Sequence, residues 1–192
     1  DIVTKTQKRV IDDLVRSYGR NEQAENLLAR MAGTNARIPG SYTVTVSDTF
    51  HKTIIFRREE KTRYAGMDAY ITKGFLVSFH PGKADSTHIV NTIDSLMSQY
   101  FEGVSPVDRM KISKVKVLPE VKFTQEGLIE VRGFWFIENE FRGGSFLAYA
   151  GCTSGGEYKK LFIGYVFAPN ISKRRHLIEI EAIGKSLFLD CK

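Results

Sequence analysis

The hydrophobic period of this chain switches from three-to-four residues to two, returns to three-to-four, and then runs through the same cycle again. A helical stripe does not fit a strand and an alternating stripe does not fit a helix, so these switches locate the elements. The first stripe is Val3, Val10, Ile11, Leu14, Val15 and Tyr18, resumed by Ala24, Leu27, Leu28 and Met31. Gly19 falls between the two sets, which predicts one long helix kinked there or two consecutive helices. Gly33, Asn35 and Pro39-Gly40 then supply stop and turn signals.

From Tyr42 the period is two: Tyr42, Val44 and Val46 alternate with Thr43 and Thr45, the pattern of a half-buried strand. A second strand is predicted over 52–58 and a third over 69–79, with a polar turn through 63–68 between them. After Pro81-Gly82, Asp85 or Ser86 caps a helix whose apolar face is Ile89, Ile93, Leu96, Met97, Tyr100 and Phe101. A basic linker-strand over 111–118 leads to Pro119, where the order begins again. Ile129, Val131, Trp135 and Ile137 alternate with Glu130, Arg132, Phe134 and Phe136, which predicts a central strand buried on much of both faces. Strands over 145–150 and 159–167, joined by a glycine-containing turn at 153–156, precede a last helix along Leu177, Ile180, Ile183, Leu187 and Phe188.

The pattern therefore predicts an α+β fold with a largely antiparallel sheet and helices packed on one face. Its expected organisation is an N-terminal helical segment over 1–37, a first β-β-β-α half over 38–110 and a second over 111–192, joined in one unit. With 42% hydrophobic and 26% charged residues in 192, the chain has enough apolar side chains for a substantial core. No apolar run approaches the roughly 18 residues that a bilayer-crossing helix needs. The chain opens at Asp1 with neither Met nor a charged-then-apolar leader, so its start does not argue for the cytoplasm. Cys152 and Cys191 are too few for a disulfide framework and lack the spacing of a zinc or redox site, although one bridge between them is open in an oxidising compartment.

No GxSxG, HExxH, GxGxxG or P-loop pattern occurs, so no cofactor and no catalytic residue is assigned. His80, Asp85 and His88 are near enough in sequence to surround a metal, but their spacing matches no established motif and surface roles are expected. His51 and His176 stand alone. The mixed run Arg57-Arg58-Glu59-Glu60-Lys61 reads as a solvated hairpin end, and Phe134-Trp135-Phe136 as core rather than as a base-stacking platform. The net charge of +6 leaves a polyanionic partner open, yet no dense block of like charges accompanies it, and nucleic acid is not expected. Most informative is Asn170-Ile171-Ser172-Lys173-Arg174-Arg175, where three cations open a helix at the positive end of its dipole. They are offset by carboxylates such as Glu179 and Glu181, by an external anion, or by water. Asn170-Ile171-Ser172 also fits the glycosylation sequon.

Arg132-Gly133-Phe134-Trp135, Gly143-Gly144-Ser145-Phe146 and Gly164-Tyr165-Val166-Phe167-Ala168-Pro169, with Lys173-Arg174 and the stretch 179–183, carry a resemblance over most of the chain. Ile38-Pro39 and Phe56-Arg57 add to it. The chain resembles the carboxyl-terminal part of an uncharacterised family of predicted lipoproteins from Bacteroidetes-type bacteria. That resemblance implies an envelope location, periplasm-facing or anchored at the outer membrane through a lipid outside this chain, and it supplies no reaction. Ser145 stands where the family pattern has proline, and Cys152 and Cys191 lie outside that pattern.

The function expected from these features is a non-catalytic envelope module that binds a protein, a glycan or an anionic component. Arg132, Lys173, Arg174 and Arg175 are the residues expected to carry it. The alternative is a hydrolase or other enzyme whose site is assembled from residues distant in sequence.

Overall fold

The computed structural model of the chain describes residues 2–32, 34, 36–79, 81–105, 107–115, 117–124, 127–151, 156–169 and 171–188. Helices α1 (Ile2–Tyr18) and α2 (Glu22–Ala32) open the chain. They are two helices because Gly19 takes a φ of 70°, which removes it from both and which glycine adopts without a Cβ clash. Asn21 then starts α2 by accepting from the Ala24 amide at 3.0 Å.

Three long strands follow, β1 (Thr43–Asp48), β2 (Thr53–Tyr64) and β3 (Met67–Ser78), then the two-residue β4 (Gly82–Lys83). Helix α3 (Ser86–Tyr100) begins at Asp85, whose carboxylate accepts from the amides of Thr87 and His88. The remainder is β5 (Met110–Ile112), β6 (Glu120–Phe123), β7 (Ile129–Ile137), β8 (Gly143–Gly151), β9 (Glu157–Tyr158), β10 (Lys160–Phe167) and α4 (Arg174–Ser186). The main sheet runs β1-β2-β3-β10-β8-β7-β5, with β6 also paired to β7, and its pairs are antiparallel.

Alternation along the strands builds two cores, one on each side of the sheet. On one side Ile54, Phe56, Phe75, Val77, Phe162 and Tyr149 pack with Ile11 of α1, Leu28 of α2 and Ile180 and Ile183 of α4. On the other, Ile55, Leu76, Ile163 and Trp135 pack with Ile89, Ile93, Leu96 and Met97 of α3. The α+β class and the antiparallel sheet are as the sequence predicts, but the helices divide between the faces instead of sharing one. Among the described residues four strands precede α3 and six more precede α4, so the two predicted β-β-β-α halves share only the order of a sheet segment followed by a helix. Because α3 and α4 lie on opposite faces, that shared order is not a shared arrangement.

Strand β7 is not central: it lies between β8 and the short strands β5 and β6, while β3 and β10 occupy the middle. Its residues on the α4 side, Glu130, Arg132 and Phe134, are only partly covered. Of the predicted linker-strand over 111–118, only the first residues join the sheet. The hairpin of β2 and β3 is longer than predicted, pairing from Thr53↔Ser78 out to Tyr64↔Met67. Cys152 and Cys191 lie outside the described residues, as do His80 and Asn170.

Candidate functional site

The face that carries α1 and α4 holds a charged cluster where β2 and β3 emerge beyond their apolar stretches. The β2 residues on this face run Ile54, Phe56, Arg58, Glu60, and those of β3 run Val77, Phe75, Lys73, Ile71. Arg58 and Lys73 therefore continue an apolar row inward, where they are 8% and 1% exposed. Such cations require partners, since an unpaired buried charge is far more costly than a paired one.

Glu179 of α4 is the hub. Its Oε1 accepts from Tyr42 Oη at 2.9 Å and from Arg58 Nη1 at 3.0 Å, and its Oε2 accepts from Lys73 Nζ at 2.7 Å. Lys73 also donates to Glu60 Oε2 at 3.1 Å, and Arg58 Nη2 lies 3.3 Å from the same oxygen. Arg58 further donates to Tyr18 Oη at 2.8 Å and sits over its ring, 4.3 Å from the centroid. Burial, reinforced by the charge of Glu179, raises the Tyr42 hydroxyl well above the usual phenol range. Burial works against the charge of Glu60, but the hydrogen bond from Lys73 and the charges of Lys73 and Arg58 hold its carboxyl below the usual range. Two carboxylates and two cations thus offset one another.

Above this cluster lies a cleft of about 590 Å³ between α1, the start of α4 and the β2–β3 hairpin. Its walls include Val10, Leu14 and Tyr18 from α1, Arg58, Glu60 and Lys73 from the strands, and Arg174, Arg175, His176 and Ile178 from α4. Arg174 and Arg175 are exposed, and among the described residues neither forms an ion pair. Lys173 precedes α4 without a side-chain cap, and no described residue accepts from the amides of 174–176. His176 is 8% exposed, lines the cleft, and has no hydrogen bond to its ring among the described residues. Burial, followed by the charge of Lys73, lowers its pKa, so the imidazole is neutral at pH 7.

The sequence-predicted cations therefore separate. Arg174 and Arg175 reach the cleft and Lys173 stands at its helix start, but Arg132 belongs to a different cluster. Arg132 Nε donates to Glu130 Oε1 at 2.6 Å, its Nη2 lies 3.1 Å from Glu181 Oε2, and Gln7 donates to Glu181 at 3.3 Å. The expected pairing of Glu179 and Glu181 with 173–175 does not form. Glu179 turns to the sheet, where Arg58 and Lys73 hold it, and Glu181 turns to Arg132.

The run 57–61 is solvated only in part. Arg57 and Glu59 pair on the exposed side at 2.6 Å, whereas Arg58 and Glu60 enter the cleft. Sequence reasoning missed Tyr42, Arg58, Glu60 and Lys73, and the period-two rows of β2 and β3, which between them contain the last three, were the available signal. His88 Nδ1 lies 2.6 Å from Asp85 Oδ2 at the exposed start of α3, and no group of three metal-ligating side chains occurs among the described residues. Ser17 and Ser172 line the cleft, but neither hydrogen-bonds to His176, so the described residues contain no assembled nucleophile–base pair there.

A family model described as a domain of unknown function, DUF4837, matches residues 21–186. The chain belongs to the DUF4837 family. The match runs from the start of α2 through α4, so it includes the strand and α4 sides of the cleft and excludes α1. No curated protein matches this DUF4837 member. Among solved structures it is similar to the human StarD13 (DLC2) lipid transfer and protein localization domain, at 12% identity and a TM-score of 0.30, over 76% of this chain and 88% of that one.

Proposed function

We propose that this domain is a non-catalytic binding module of the bacterial cell envelope, and that its partner presents an anionic group to the cleft between α1 and α4. One observation carries the reading: Arg174 and Arg175, which pair with no acidic side chain among the described residues, line the cleft at a helix start without a side-chain cap among those residues, where the positive end of the helix dipole favours an anion. A cationic pair in that position is mildly unfavourable on its own and becomes favourable when an anion binds. The floor of the cleft argues for binding over chemistry, because its carboxylates are committed to Arg58 and Lys73. The envelope location and the Bacteroidetes-type lipoprotein origin rest on the resemblance carried by the residues of the final third.

Cross-linked pull-down from the native envelope, with wild type and the double variant Arg174→Glu/Arg175→Glu, tests this. The wild type should capture a partner that the variant loses while both remain folded. Equal capture by the two, or recovery of the native protein outside the envelope fraction, would overturn it.

A further inference from the structure

We infer that the natural ligand of the cleft is an amphipathic organic anion, its charged head at Arg174, Arg175 and His176 and its apolar body along Val10, Leu14 and Ile178. This rests on the anion reading above and specifies what is joined to the anion. Three observations meet in one cavity. Two guanidinium groups without an ion-pair partner among the described residues form one end of it, at a helix start that no described side chain caps. The His176 ring, nine-tenths buried, faces the cleft without a hydrogen-bond partner among the described residues, and a neutral imidazole offers one N–H to an oxygen. Its ring nitrogens are not among the fully buried unpartnered polar atoms of the described residues, so they are reached from the cleft, where a ligand oxygen can take the place of water.

The third observation is apolar. Val10 and Leu14 are one helical turn apart on α1 and half-buried, and Ile178, 38% exposed, lies one turn beyond Arg174 on α4. All three line the same cleft as the arginines. Aliphatic side chains in a cavity otherwise rich in charge leave a surface that water wets poorly and that an alkyl or aromatic body covers. A bare inorganic anion leaves that wall open, and an uncharged apolar molecule leaves the arginines unmatched. At about 590 Å³ the cleft is within the roughly 300 to 1,000 Å³ span of small-molecule sites.

The test compares inorganic phosphate with hexyl phosphate below its micelle concentration, read by calorimetry and by amide shifts of α4. Hexyl phosphate should bind at least tenfold tighter, about the worth of two buried methylenes. Leu14→Asn and Ile178→Ser should reduce that advantage to less than threefold while leaving inorganic phosphate binding unchanged, and Arg174→Gln/Arg175→Gln should weaken both probes. Equal affinity for the two probes would overturn the amphipathic inference and leave the anion reading standing. Binding of neither probe would overturn both.

Co-sedimentation with phosphatidylglycerol-containing vesicles separates the sources. Vesicle binding that is lost in the arginine and aliphatic variants means a lipid headgroup supplies the ligand, and cleft binding of hexyl phosphate alone means a free one. Either result supports the inference, whereas vesicle binding untouched by all these variants means a different surface acts and counts against it.

Discussion

Lys73 Nζ and Glu179 Oε2 meet at 2.7 Å, fastening the middle of the sheet to the last helix at a point where the lysine is 1% exposed. Removing either partner takes from the other one of its two opposite charges, so Lys73→Met or Glu179→Gln should each cost about 1 to 3 kcal/mol. The joint change Lys73→Met/Glu179→Gln should cost less than the two single losses added together, because neither charge then faces a missing partner while the amide oxygen at 179 still accepts from Tyr42 and Arg58. Denaturant unfolding of the four proteins measures both effects. Single losses below about 1 kcal/mol, or strict additivity, would count against this coupling.

His176 gives the fold a defined pH dependence. In the unfolded chain its imidazole titrates near the ordinary 6.5, and in the fold burial shifts it lower. Between those two values the unfolded state binds more protons, so stability rises with pH across that window and is full above it. On acidification from pH 7 to 5 the wild type should therefore lose more stability than His176→Gln. Identical slopes for the two proteins would show that the histidine is not held in a desolvated site.

At the opposite end of the sheet, Asp48 accepts from the His51 amide at 2.9 Å, from Tyr100 Oη at 2.9 Å, and lies 2.7 Å from His51 Nδ1. The His51 amide, then its ring, pulls the Asp48 carboxyl down to about 2 from 3.8. Its contribution to stability is present above 3.8 and is lost as pH falls through 2. Carbon-detected NMR should place its midpoint near 2, and Tyr100→Phe should raise it by removing one donor. A wild-type midpoint in the ordinary range would refute this.

Gly164 on β10 lies under α4, and a Cβ there would overlap Ile180 Cγ2. Gly164→Ala should destabilise by about 1 to 3 kcal/mol, since a packed core resists an added methyl. Ile180→Ala deletes that Cγ2, so the two changes made together should cost less than the sum of the two made singly in thermal or denaturant unfolding. An additive double variant would place the strain elsewhere.

Much of the fold was legible because its signals were local. Gly19 divided the first stripe, Asp85 capped α3, and Ile89, Ile93, Leu96 and Met97 are buried as their spacing required. What was not legible was which face each helix covers, since alternation along β2 and β3 supplies an apolar row to both sides and names neither. Strand β7 looked central because Phe134 and Phe136 interrupt its polar row, yet Phe134 is largely exposed at the sheet's margin. The cleft was half visible. Arg174 and Arg175 were found from charge at a helix start, but their supposed partner Glu179 belongs to Arg58 and Lys73, which are over a hundred residues away in sequence. Lys73 was hidden in a hydrophobic strand, where a cation reads as noise until its neighbour across the fold is known.

The sheet that separates the two cores also acts as a partition between two environments. Side chains facing α4 and side chains facing α3 alternate along β3, as Phe75 and Leu76 do, so successive residues of the strand serve different compartments. Whatever occupies the α4 side can reach α3 only by moving backbone, and strands hydrogen-bonded on both flanks yield little. The α3 layer is thereby insulated from events at the cleft, and it can change sequence or acquire partners of its own without disturbing the charged floor on the far side.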